Sequence, residues 1–224
     1  MPARSKIAAY TLPFVVFVAF LGLNSALKKI DNQLWLARPE YWTYPLQTIL
    51  CGLLLVRFRP QYELERPRGP GFALLVGVFV FALWISPQAL FGFAPRTTGF
   101  NPLLLGAHPV FYWLELGLRF VRLVVVVPLI EEIFWRGFFL RFLIDEDFER
   151  VPIGAFSWLS FAAVSVAFAL SHSAADWPAA LIAGALYNAV AYYTKSLSSC
   201  ILAHSVTNLA LGGWIMQTKQ WGFW

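Results

Sequence analysis

The chain has 224 residues, of which 59% are apolar and only 13% are charged, and its formal net charge is +5. Soluble domains carry about 25% charged residues, so this composition excludes a water-soluble enzyme domain as well as a disordered chain. The two cysteines, Cys51 and Cys200, lie in apolar runs and exclude a disulfide scaffold. Basic residues occur in short clusters between apolar stretches, which is typical of membrane-protein loops and not of nucleic-acid binding.

Apolar runs of roughly membrane-spanning length recur along the whole chain. A bilayer core needs about 20 apolar residues, and the first run, residues 7–27, carries no charge. We interpret it as a first span, with a cleaved signal peptide as the alternative. The Arg- and Pro-rich stretch 57–70 is a predicted loop, and the Pro- and Gly-rich stretch 95–112 is a predicted loop or re-entrant turn. The other predicted spans are 44–57, 71–94, 111–144, 153–171, 178–194 and 197–216.

The predicted fold class is therefore all-α: a multi-pass transmembrane helical bundle of about 7–8 spans, forming a single integral membrane domain over 1–224. The number of spans depends on segment 111–144, which is too long for one ordinary span and contains Pro128. This segment forms either one tilted, kinked helix or two helices that meet near the proline. Its charged residues are Glu115, Arg119, Arg122, Glu131, Glu132, Arg136 and Arg141.

Ionisable side chains inside a span are costly, roughly 2.5–3.5 kcal/mol each on insertion scales, and therefore point to a function. Glu132 and Arg136 are four residues apart on one helix face, where they can pair. Glu131 lies about 100° round the helix axis from Glu132 and need not share that partner. One carboxylate can thus stay ionised while the other transfers protons. The alternative is a buried salt-bridge cluster at a helix end.

Two further polar sets lie in the C-terminal spans. His172 ends the span 153–171, and His204 and Asn208 share one face of the last span. Taken singly, His172 is explained by an interfacial histidine with an ordinary hydrogen bond, and His204 with Asn208 by a pair of interhelical hydrogen bonds. Short connections make successive spans antiparallel, so the three sets can meet in one cavity. There they would supply a base, a proton shuttle and hydrogen-bond donors.

The motifs EEIFWR at 131–136, FALSH at 168–172 and HSVTN at 204–208 resemble the EExxxR, FxxxH and HxxxN motifs of the CPBP family. This family contains the CAAX prenyl proteases and the bacteriocin-processing enzymes. The resemblance covers about residues 124–212, the CPBP-like catalytic core. Residues 1–110 are similar to the family only in being helical and hydrophobic. The preceding Val-Pro and the compact size are similar to a bacterial exosortase-associated branch.

The resemblance implies an intramembrane endopeptidase of the glutamate type, with no cofactor and no metal. By similarity, Glu131 and His172 would activate a water for attack on a peptide carbonyl. His204 and Asn208 would then donate hydrogen bonds to the developing oxyanion. The supporting residues implied by the same motifs are Glu132, Arg136 and Phe168.

The expected partners are the lipid bilayer and a peptide or protein substrate, either prenylated or a membrane-bound sorting substrate. The expected location is the bacterial inner membrane. A metal-dependent membrane protease stays open because Glu and His are good zinc ligands, although the chain lacks an HExxH motif. A non-catalytic immunity or scaffold protein of the same fold and a proton-coupled transporter are further alternatives. The sequence does not determine the oligomeric state.

Overall fold

The computed structural model describes residues 4–30 and 38–224. Over these ranges the protein consists of seven helices joined by loops and short 3-10 turns, which confirms the all-α prediction. The helices are α1 (Arg4–Leu27), α2 (Glu40–Phe58), α3 (Pro70–Leu90), α4 (109–142), α5 (Trp158–Leu170), α6 (Trp177–Thr194) and α7 (Leu197–Thr218).

Helix α4 is continuous, but its hydrogen-bonding pattern changes along its length. The segment that was predicted as 111–144 therefore does not divide into two helices at Pro128. Widened π-helical turns alternate with α-helical stretches, and such turns are frequent at functional sites. The α-helical parts are Pro109–Val121, Val127–Glu132 and Leu140–Phe142, and the π-helical parts are Arg122–Val126 and Ile133–Phe139.

The first π turn accommodates Pro128. A proline inside a regular helix has no N–H to donate, and its ring clashes with the carbonyl one turn back. Here the N–H of Val127 bonds to the carbonyl of Arg122, which is the wider π register. In that register the carbonyl of Leu123 would accept from residue 128, and proline has no proton to give. The sequence therefore leaves the carbonyl of Leu123, in the middle of α4, without a backbone donor.

Three of the described helices are long and apolar enough to cross a bilayer, judged by length and composition: Lys6–Leu27, Pro70–Leu90 and Leu197–Thr218. Large apolar side chains such as Val15, Leu75 and Leu209 are exposed on their outer faces, as expected for contact with lipid. These features support an integral membrane protein.

The helices around α4 hold it in the middle of the bundle. Helix α3 packs on α7, α5 on α6 and α1 on α2, and the second π turn of α4 contacts α1, α5 and α7. The approach of α3 to α7 is especially close at Gly77, where an added Cβ would lie 2.5 Å from the carbonyl oxygen of Ala203. The charged middle of α4 is buried in this bundle and forms hydrogen bonds with polar side chains of α6 and α7.

Candidate active site

Glu132 is a fully buried carboxylate that connects α4 to α7. Its Oε1 accepts a hydrogen bond from Arg136 Nη1 at 3.1 Å, so the four-residue spacing does produce a pair. The same oxygen accepts a hydrogen bond from His204 Nδ1 at 2.8 Å. Its Oε2 is buried and has no hydrogen-bond partner. Glu132 is therefore held by two donors on two helices, and only the donor on its own helix follows from sequence spacing.

Arg136 extends this network to α6. Its Nε donates to Asn188 Oδ1 at 3.0 Å and its Nη2 donates to the carbonyl of Gly184 at 2.9 Å. Its guanidinium lies 5.0 Å from the ring centre of Phe168. Asn188 in turn donates to Ser165 Oγ on α5 at 3.2 Å. Asn188 is absent from the motifs, yet it accepts the hydrogen bond that orients Arg136.

Glu131, the adjacent carboxylate, points in a different direction. It is 8% exposed, its Oε2 has no hydrogen-bond partner, and it lines a cavity of about 320 Å³. Buried polar atoms are nearly always hydrogen-bonded, so an unpaired one at a cavity wall indicates a place where a ligand or a reacting group binds. This carboxylate is available to bind a water or a ligand in the cavity.

His172 lies at the end of α5 with its ring fixed from three sides. Its Nδ1 lies 2.8 Å from the carbonyl oxygen of Phe168, and a carbonyl can only accept, so Nδ1 carries the proton of this hydrogen bond. The ring also contacts Trp84 and Phe168, with centroid distances of 5.4 Å and 4.8 Å. In the neutral imidazole Nε2 is then the acceptor. His172 lines the same cavity as Glu131.

His204 is oriented by a contact on its ring face as well as by Glu132. It is stacked on Tyr187 of α6, with ring centroids 5.0 Å apart and an interplanar angle of 21°. The hydroxyl of Tyr187 donates to Thr207 Oγ1 at 2.8 Å. Because Glu132 occupies Nδ1, Nε2 is the nitrogen that remains for a ligand, and His204 also lines the cavity. The motifs do not predict Tyr187.

Asn208 donates a hydrogen bond to the carbonyl of α4 that lacks a backbone donor. Its Nδ2 donates to the carbonyl of Leu123 at 2.8 Å, which is the carbonyl that Pro128 leaves without a backbone donor. An amide nitrogen has two protons, so one proton of Asn208 is left for another acceptor. Both Asn208 and Leu123 line the cavity.

The cavity brings the three sequence motifs together. Five of the seven predicted site residues line it, whereas Glu132 and Arg136 lie behind it in the core. Apolar side chains of α1 and the ring of Trp84 form its other walls, together with an ion pair of 2.6 Å between Arg96 and Asp176. The five predicted residues in the wall are Glu131, Phe168, His172, His204 and Asn208.

Arg122 also lines the cavity and was not predicted as a site residue. The sequence does contain a signal for it. At positions three and four away on either side it has Leu118, Arg119, Val125 and Val126, so no carboxylate on its own helix can pair with it.

No group of three or more His, Cys, Asp or Glu side chains with a metal-binding arrangement occurs within the described residues.

A family model described as Type II CAAX prenyl endopeptidase Rce1-like matches residues 113–210. The chain contains an Rce1-like domain of this CAAX prenyl endopeptidase family. The Rce1-like domain begins in α4, ends in α7 and includes all seven predicted site residues. No curated protein and no solved structure matches the chain. The matched family and the three long apolar helices together indicate an integral membrane protein with a domain of a protease family.

Proposed function

We propose that the protein is an intramembrane endopeptidase that hydrolyses a peptide bond with a water activated by Glu131 and His172. The observation that carries this proposal is the shared cavity: Glu131 from α4, His172 from α5, and His204 and Asn208 from α7 all line it. The substrate is a peptide or protein, either prenylated or carrying a membrane-bound sorting signal.

The chemistry follows from the free atoms at the site. The water donates one proton to the Glu131 carboxylate and a hydrogen bond to Nε2 of His172, and its oxygen attacks the peptide carbonyl carbon. The carbonyl oxygen becomes an oxyanion, which accepts hydrogen bonds from Nε2 of His204 in its imidazolium form, whose Nδ1 still donates to Glu132, and from the remaining Nδ2 proton of Asn208. The C–N bond then breaks, and the proton held by Glu131 passes to the leaving amine.

The buried network behind the cavity positions these groups. Glu132 holds the His204 ring through Nδ1, and Arg136 holds Glu132 in turn. Substitution of either residue would act through His204, since neither lines the cavity. In the proposed enzyme both are positioning residues.

The test is proteolysis by the purified full chain in liposomes, with prenylated and unprenylated peptides, with and without chelator. Glu131→Gln and His172→Ala should each lower the rate by ~10²–10⁴. Glu115→Gln is the matched control, because this carboxylate lies on the same helix but outside the cavity wall.

Three results would oppose the proposal. Cleavage that a chelator abolishes would favour the metal-dependent protease. Equal cleavage by wild type and Glu131→Gln would contradict the assigned base. If none of the prenylated and unprenylated peptides is cleaved, a non-catalytic protein of this fold is favoured.

A further inference from the structure

Arg122 is a buried cation without a counter-ion in the wall of the cavity. It is 6% exposed, and its only hydrogen bond to described residues runs from Nε to Gln47 Oε1 at 2.7 Å. Of the other three buried arginines of α4, two have a carboxylate: Arg136 pairs with Glu132 and Arg141 with Glu63. No described carboxylate lies within 4.0 Å of the Arg122 guanidinium.

The surroundings of Arg122 fix its orientation and leave its charge uncompensated. The guanidinium carbon lies 4.6 Å from the ring centre of Tyr44 and 5.1 Å from that of Phe17. Gln47 holds Nε, so the pair of terminal nitrogens remains for a ligand. A guanidinium with a fixed plane matches the two oxygens of a carboxylate better than an ammonium does.

A second buried arginine adds positive charge at the same place. Arg119 lies one turn before Arg122, is 3% exposed, and has no hydrogen-bond partner on Nε or Nη1. It lies outside the cavity wall and contacts the rings of Tyr44, Phe100 and Trp224. Unpaired charges in a low-dielectric interior are strongly unfavourable unless an opposite charge joins them. Glu40 and Glu115 act on Arg119 without pairing with it, whereas Arg122 faces the cavity with no paired carboxylate, so the cavity side of this region favours an anion.

Glu131 lies in the same cavity wall and acts on the charge of Arg122 at longer range, but the two do not form an ion pair, because no described carboxylate lies within 4.0 Å of the guanidinium. The terminal nitrogens of Arg122 therefore remain for an anionic group of the ligand of the cavity. We propose that Arg122 is a specificity-determining residue of the proposed protease and binds a carboxylate of the peptide substrate. This inference rests on the proposed function for the identity of the ligand as a peptide.

The test measures binding instead of turnover. The full chain with Glu131→Gln, reconstituted in nanodiscs, is titrated with N-dansyl-Ala-Val-Ile-Leu ending either in a carboxylate or in a carboxamide. Energy transfer from Trp84 and Trp224, which line the cavity, reports binding. A second probe pair keeps the carboxamide end and carries either Glu or Gln at its third position, so that a terminal and a side-chain carboxylate are distinguished.

We expect at least one carboxylate probe to bind ~10-fold or more tightly than its neutral partner, as a charge-assisted pair predicts. Adding Arg122→Met should reduce this preference to under about twofold and leave binding of the neutral probe unchanged. Arg119→Met is the matched comparison: it removes a buried arginine of the same helix that lies outside the cavity wall, so the preference should fall clearly less than it does with Arg122→Met. If Arg122→Met does not fold, Arg122→Gln keeps a donor towards Gln47 and replaces it.

The inference would be overturned if charged and neutral probes bind equally or if neither binds. It would also be overturned if the preference for the carboxylate probe remains in the Arg122→Met variant. Failure of the proposed function looks different. If the carboxylate preference depends on Arg122 but no peptide is cleaved, the anion site is supported and the proposed protease activity is contradicted. If peptides are cleaved but no carboxylate preference is found, the proposed protease activity is supported and the anion site is contradicted.

Discussion

Glu132 and His204 are joined by a hydrogen bond of 2.8 Å that links the middle of α4 to the middle of α7. The neighbouring Glu131 forms no ion pair with a described residue and lines the cavity, which Glu132 does not. Two adjacent carboxylates thus have different environments, because one is tied into the core and the other faces open space. This difference separates their expected effects on stability and on activity.

Glu132→Gln should lower the free energy of unfolding by ~3–5 kcal/mol, because it leaves Arg136 as an uncompensated buried charge. Glu131→Gln should change it by less than ~1 kcal/mol, because no ion pair is broken, while activity is lost. Denaturant unfolding in detergent micelles measures both. Glu65→Gln serves as the exposed control, since its pair with Arg68 is solvent-accessible and contributes under ~1 kcal/mol. Equal destabilisation by Glu131→Gln and Glu132→Gln would contradict the assignment.

Asn208→Ala should lower both stability and rate, because Asn208 holds the carbonyl of Leu123 and is also proposed to bind the oxyanion. An unpaired buried carbonyl costs ~1–3 kcal/mol, and a lost oxyanion donor costs ~10²–10³ in rate. Pro128→Ala in the same chain restores a backbone N–H that can reach Leu123. The double variant should therefore recover stability while its rate stays low. Recovery of both quantities would show that Asn208 acts only through the backbone of α4.

The predictable part of the fold is the part set by local composition. Long apolar runs predict α1, α3 and α7, and the length of segment 111–144 together with Pro128 predicts an irregular helix or a helix pair there. The π turns of α4 were not predicted, because they depend on which carbonyl each N–H reaches. Neither helical periodicity nor composition distinguishes that register from a regular one.

The same division applies to the candidate site. The pair of Glu132 with Arg136 follows from spacing on one helix, and the structure contains it. The hydrogen bond from His204 and the one accepted by Asn188 require α4, α6 and α7 to be packed in a particular way. Family motifs name the residues that meet in the cavity, but they contain no information about Arg122, which lies before the first motif.

Asn188→Leu should lower the free energy of unfolding by ~1–3 kcal/mol, since Arg136 Nε then loses its buried acceptor. Because Asn188 lies outside the cavity wall, substrate binding should be retained and the loss of rate should appear in kcat with KM nearly unchanged. Asn188→Asp, which keeps an acceptor for Arg136, should recover more of kcat than Asn188→Leu does. A rise in KM as the main effect would indicate that Asn188 contacts the substrate.

Gly77→Ala tests the close approach of α3 to the helix that carries His204 and Asn208. The added Cβ would lie 2.5 Å from the carbonyl of Ala203 and 2.9 Å from Val206 Cβ, so the two helices must move apart. We expect a loss of ~1–3 kcal/mol in the free energy of unfolding and a lower rate, because His204 follows Ala203 directly. Gly213→Ala is the control on α7, since nothing lies within 4 Å of its added Cβ. There helix propensity should stabilise the chain by up to ~1 kcal/mol. A Gly77→Ala variant as stable and active as Gly213→Ala would show that the α3–α7 contact is not tight enough to position the site.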